Sequence, residues 1–94
     1  MTEFENRGEE VRNITKELIL SYMKSNIYCL PDGRGVKQAV IFRDCGLASD
    51  GNAKATVTNQ QYWMIALLYE LKEEGLIELM CERGPWRLTN MAII

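Results

Sequence analysis

Apolar residues return at helical spacing near the start of the chain: Val11, Ile14, Leu18 and Tyr22, with Ile19 and Met23 widening the stripe. That pattern predicts a helix from about Gly8 to Ser25 with this stripe on the core, and Arg12, Lys16 and Lys24 in solvent. Residues 1–8 are polar and are expected to fray. Pro31 and the run Asp32-Gly33-Arg34-Gly35 are turn punctuation. The short apolar piece Tyr28-Cys29-Leu30 before them reads as an extended segment. A second helix is predicted from about Val36 to Cys45, with Val36, Ala39, Val40 and Phe42 or Arg43 approximating one face. Gly46 is its left-handed stop, and Leu47 returns to the core.

The polar, Gly-bearing run from Ala48 to Thr56 reads as a loop. The third helix has the clearest limits. Thr58 with Gln61 fits a capping box, and Gly75 is the stop. Met64, Leu67, Leu68 and Leu71 give the i, i+3, i+4, i+7 spacing of a core face. After Gly75 the period falls to two. Ile77, Leu79 and Cys81 alternate with Leu76, Glu78 and Met80; Glu82-Arg83-Gly84-Pro85 is a tight loop; Trp86-Arg87-Leu88 resumes the alternation. Met91 to Ile94 form an apolar tail, suited to covering the core or meeting another subunit.

A helix that runs directly into a hairpin, behind two earlier helical segments, predicts an α+β fold: a winged helix-turn-helix of three helices with a C-terminal β-hairpin wing. Ninety-four residues without repeats or a Pro/Ser-rich linker predict a single domain over 1–94. In such a fold the segment at Tyr28–Leu30 would pair with the wing.

Composition narrows the chemistry. There is no His, which removes the commonest general acid–base group and the Ser-His and Cys-His nucleophile pairs. Phosphate-loop and dinucleotide-turn motifs are missing, as is any carboxylate cluster at metal spacing. The expectation is a non-enzyme with no cofactor and no metal. Cys29, Cys45 and Cys81 are odd in number and widely spaced. They are expected to be buried free thiols in a reducing compartment. No apolar run reaches the length of a membrane span, and the acidic start lacks the apolar stretch of a signal peptide, so a cytoplasmic protein without membrane contact is expected.

The net charge of −2 sits awkwardly with a dedicated DNA-binding domain, which usually has to neutralise phosphates. The acid is unevenly spread, however. Glutamates crowd both ends, whereas Lys24 to Tyr69 holds five cations against three carboxylates. A local basic face remains open.

The run ELKEEGLIE followed by RGPWRLT, with Leu71, Gly75, Leu76, Arg83, Gly84, Trp86, Arg87 and Thr89, resembles a winged-helix signature. It is that of the N-terminal domain of Mrr-type restriction proteins and of related mobile-element modules. The resemblance covers Tyr62 to Thr89 in detail, and Cys45-Gly46-Leu47 agrees loosely. These 94 residues include no nuclease domain. The resemblance therefore implies at most a DNA-contacting role.

On that reading Asn59, Gln60 and Gln61 open the recognition helix, where amide side chains can pair with adenine. The bland alternative is a cap and two solvated amides. Trp63 projects to the side of the core stripe, either for stacking or as packing against the loop. Arg83 at the hairpin tip and Arg87 behind it suit phosphate or the minor groove, or else simply balance Glu82 and Glu78. Lys37, Arg43 and Lys54 are candidate backbone clamps. Trp86 is expected in the core. The leading functional expectation is a small transcriptional regulator, or an accessory protein of a phage or mobile element, that binds double-stranded DNA as a homodimer. The rival is a protein-binding module, such as an anti-CRISPR or anti-restriction inhibitor, whose acidic and aromatic surface engages a protein partner with a basic surface.

Overall fold

A computed structural model describes residues 2–47, 59–82 and 84–93, with the side chains of 59–61 outside it. The described residues form a small α+β fold: helices α1 (Glu3–Ser25), α2 (Gln38–Asp44) and α3 (Asn59–Glu73), then strands β1 (Ile77–Leu79) and β2 (Trp86–Leu88). Single 3-10 turns follow α1 (Ile27–Cys29) and β2 (Asn90–Ile93). The strands are antiparallel, with Ile77 opposite Leu88 and Leu79 opposite Trp86.

α1 begins five residues earlier than its apolar stripe suggested. Thr2 caps it: the Thr2 hydroxyl oxygen accepts from the Glu5 amide at 3.2 Å and the hydroxyl donates to the Glu5 carboxylate at 3.2 Å. Thr2-Glu3-Phe4-Glu5 is thus a cap sequence in its own right, and Glu3 and Glu5 complement the positive end of the helix. The stripe that α1 buries agrees with the expected one at Ile19 and Met23 and departs from it elsewhere. Thr15, Ile19 and Met23 face the core, while Val11, Ile14 and Leu18 are exposed and Tyr22 is half-buried. Thr15 tolerates burial because its hydroxyl donates to the Val11 carbonyl at 2.8 Å, one turn back in the same helix.

Two further expectations shift. Tyr28 and Cys29 belong to a 3-10 turn, not an extended strand; the segment that joins the hairpin is Val36, whose amide and carbonyl bond those of Trp86 at 2.8 and 2.9 Å. With Val36 held there, α2 starts at Gln38, and it buries Ile41 and Phe42 while Ala39 is exposed. Gly35 makes the approach possible. It has φ +82°, and a Cβ on it would stand 2.7 Å from the Met80 sulfur.

The helix stops and the hairpin follow the sequence reading. Gly46 and Gly75 take positive φ. Leu47 and Leu76 then donate back five residues, to the carbonyls of Phe42 and Leu71, at 2.8 and 3.0 Å. This closes both helices in the Schellman manner. Met64, Leu68 and Leu71 of α3 pack in one core with Ile19, Met23, Phe42, Ile77, Trp86 and Leu88, and Leu67 is buried as well. The Trp86 ring meets Tyr69 edge-on, with centroids 5.4 Å apart. Thr89 seals the junction, its amide bonding the Leu76 carbonyl and its hydroxyl the Gly75 carbonyl. The thiols are free, but only Cys29 is buried; Cys45 is half-buried and Cys81 exposed.

Candidate nucleic-acid interface

The side of α3 opposite its buried leucines carries Tyr62, Ala66, Tyr69 and Glu73, with Trp63 beside them. Tyr62, Trp63 and Tyr69 are each more than two-fifths exposed. Such a row of aromatic side chains offers flat apolar surface with polar edges.

The carboxylates of α3 do not share that side evenly. Glu70 takes the guanidinium of Arg12 and lies 3.8 Å from the Lys16 ammonium; Glu74 accepts from Lys16 at 2.9 Å. Both negative charges are therefore drawn toward α1. Glu73 stays in solvent.

Cations gather at the other end of the hairpin. A shallow cleft of about 520 Å³ is lined by Tyr28, Arg34, Lys37, Val40, Asp44 and Pro85, among others. Arg34 and Lys37 are both exposed. The Arg34 guanidinium lies over the Tyr28 ring, 4.2 Å from its centroid, which holds the charge in place without neutralising it. Lys37 stands at the N-cap of α2 and spends no side-chain bond on the cap. Pro85 brings the hairpin to the same cleft. The sequence pattern singles out Lys37, whereas Arg34 enters it only as turn punctuation and as one of the five mid-chain cations; a cation inside a tight turn beside an aromatic is the available signal.

One wall of the cleft is polar. Tyr22 donates to Asp44 at 2.7 Å, and Asn26 donates to the Tyr22 oxygen at 2.9 Å. Burial first, and then the hydrogen bond to Asp44, push the Tyr22 hydroxyl up to about 12.

The other expected contact residues divide. Arg43 is exposed on α2, its Nε 3.4 Å from Asp44. Trp63 is 44 % exposed. Arg87 is tied down on the hairpin, donating to the Glu78 carboxylate and, at 3.0 Å, to the Gly33 carbonyl. It therefore joins the hairpin to the Asp32–Arg34 turn and is no mobile phosphate clamp. Lys54 and Arg83 lie outside the described residues, as do the side chains of Asn59, Gln60 and Gln61 and the Thr58 cap. Among the described residues, no three His, Cys, Asp or Glu side chains are grouped to hold a metal ion. No described helix is long and apolar enough to cross a membrane. Compared with protein-family models, with curated proteins and with solved structures, the chain matches none.

Proposed function

We propose that this chain is a winged-helix protein that binds duplex DNA, acting as a small regulator. The order of elements supports the fold reading: three helices, then an antiparallel hairpin entered directly from the third. The observation that carries the functional reading is the meeting of Arg34 and Lys37 with the hairpin loop at Pro85 along one cleft. Two exposed cations beside a hairpin suit the phosphates that flank a groove, while α3 supplies the exposed aromatic surface of Tyr62, Trp63 and Tyr69. Arg12 and Lys16 help from a distance, because they hold Glu70 and Glu74 against α1.

The test is fluorescence anisotropy with a labelled random duplex across a salt series. If about three phosphates are neutralised, affinity falls roughly 40-fold between 50 and 200 mM salt, and Lys37→Ala lowers the salt slope by about 1. An affinity that ignores salt, or no retention of duplex at 50 mM, removes the DNA reading.

A protein-binding module is the second reading. The exposure of Tyr62, Trp63 and Tyr69 favours it, since aromatic side chains dominate the energetics of protein interfaces. So does the net charge of −2, which suits a partner with a basic surface. Trp63→Ala separates the two: abolished capture of a protein partner with duplex affinity intact selects this reading.

A further inference from the structure

We infer that α1 carries a self-association seam, occupied by the same helix of a second copy running antiparallel. The observation is an apolar row on the wrong side of the helix. Phe4, Val11, Ile14 and Leu18 are 75, 55, 64 and 40 % exposed. Their spacing is 7, 3 and 4, the a and d positions of a heptad. At 100° per residue they fall within an arc of about 80°, roughly a quarter-turn round from the core stripe of Thr15, Ile19 and Met23. The row is therefore separate from the surface that α1 spends on its own domain.

The first half of α1 has little else to support it. Every residue from Thr2 to Ile14 is exposed, and burial begins only at Thr15. More than ten helical residues without a buried face are marginal in water, whatever their cap. A partner along Phe4, Val11 and Ile14 supplies the missing tertiary contact.

Spacing and charge identify that partner. A heptad seam fits the seam of a like helix, knob into hole. A two-fold axis between Val11 and Ile14 sets Val11 against Ile14 of the other copy. It also sets Leu18 against the methylene stem of Arg7, and Phe4 over Ser21. Parallel pairing would crowd Glu3, Glu5, Glu9 and Glu10 of both copies together. Antiparallel pairing moves them apart and brings Glu3 alongside Lys24, the cation in the last turn of α1. Glu10 and Glu17 remain a like-charged pair near the centre. One helix pair is also a small interface, so the dimer is weak, with a dissociation constant on the order of 1–100 µM. This inference is independent of any DNA binding.

Sedimentation equilibrium of the full chain from about 5 to 500 µM tests it. The expected result is a monomer–dimer equilibrium. The double variant Val11→Glu/Ile14→Glu should weaken the dimer at least tenfold, with far-ultraviolet circular dichroism and Tm unchanged in dilute solution, because neither side chain is in the core. Met91→Glu, an exposed apolar site elsewhere, should leave association as it was. Glu3→Lys and Lys24→Glu should each weaken the dimer, and the two together should restore it, as an antiparallel pair requires. A monomer at every concentration overturns the proposal. So does a dimer indifferent to Val11→Glu/Ile14→Glu, or a charge swap that fails to restore.

Discussion

The three cysteines show how the environment of a single residue sets its chemistry. Cys29 is fully buried in the core, and burial pushes its thiol up to about 11. Cys45 is half-buried at the end of α2; burial first, and then the Asp44 charge, raise it too. Cys81 is exposed beside the hairpin turn. The thiolate is the reactive form, so burial and a raised pKa both work against Cys29, while exposure opens Cys81 to reagents. A disulfide reagent at pH 8 should therefore modify one thiol promptly and Cys29 only after denaturation. The fast phase should disappear in Cys81→Ser and should be at least about tenfold faster than either other site. Three thiols reacting at one rate in the native protein would contradict the burial pattern. At the same scale, Arg87 shows why a basic residue on a hairpin is a weak signal taken alone. Its guanidinium is committed to Glu78 and the Gly33 carbonyl, and only the folded chain brings residues 33 and 87 together.

At the scale of elements, α1 carries two rows of side chains with the same helical period, and period alone does not say which row meets the core. Val11, Ile14 and Leu18 are the more apolar row, yet the domain buries Thr15, Ile19 and Met23. The helix is legible, and so is the burial of Ile19 and Met23; that the stripe runs on through Thr15 is not, because a Thr that satisfies its own hydroxyl inside the helix looks polar in the sequence. The two rows make opposite demands on stability. Ile19→Ala should cost about 2–5 kcal/mol in urea unfolding of dilute protein, whereas Ile14→Ala should stay within about 0.5 kcal/mol of the parent. Equal costs would mean that the burial assignment is wrong. α3 and the hairpin are legible because Gly75 punctuates them sharply and Met64, Leu67, Leu68 and Leu71 leave only one buried face. α2 starts two residues later than its apolar pattern suggests because Val36, apolar and next to the helix, is claimed by Trp86 across the hairpin. That long-range claim leaves no local trace. The same holds for the candidate interface: Lys37 stood out by its charge, but its neighbour Arg34 became a candidate only when the fold closed the cleft against Pro85.

Across the whole molecule, the elements are joined at two kinds of locus, one greasy and one polar, and each holds a group that couples folding to alkaline pH. The greasy centre includes Cys29 among Ile19, Met23, Trp86 and Leu88. The polar locus is Tyr22, which ties α1 to α2 through Asp44 and to the α1 terminus through Asn26. Folding raises both groups, Cys29 from 9 to about 11 and Tyr22 from 10 to about 12. In each case the native state favours the protonated form, so their contribution is fully present below the unfolded value and is lost as pH climbs through the folded one. Tm should therefore hold level from neutral pH to about 9 and fall progressively between about 9 and 12, at roughly 4–8 °C for each kcal/mol lost in a domain of this size. Two variants separate the contributions. Cys29→Ala should soften the fall that begins near pH 9, at the cost of a lower Tm throughout from the smaller side chain. Tyr22→Phe should lower Tm at pH 7, where the bonds to Asp44 and Asn26 are lost, and should flatten the slope above pH 10. A decline of equal steepness in the parent and both variants would mean that neither group couples folding to protons, and that the alkaline limit is set elsewhere in the chain.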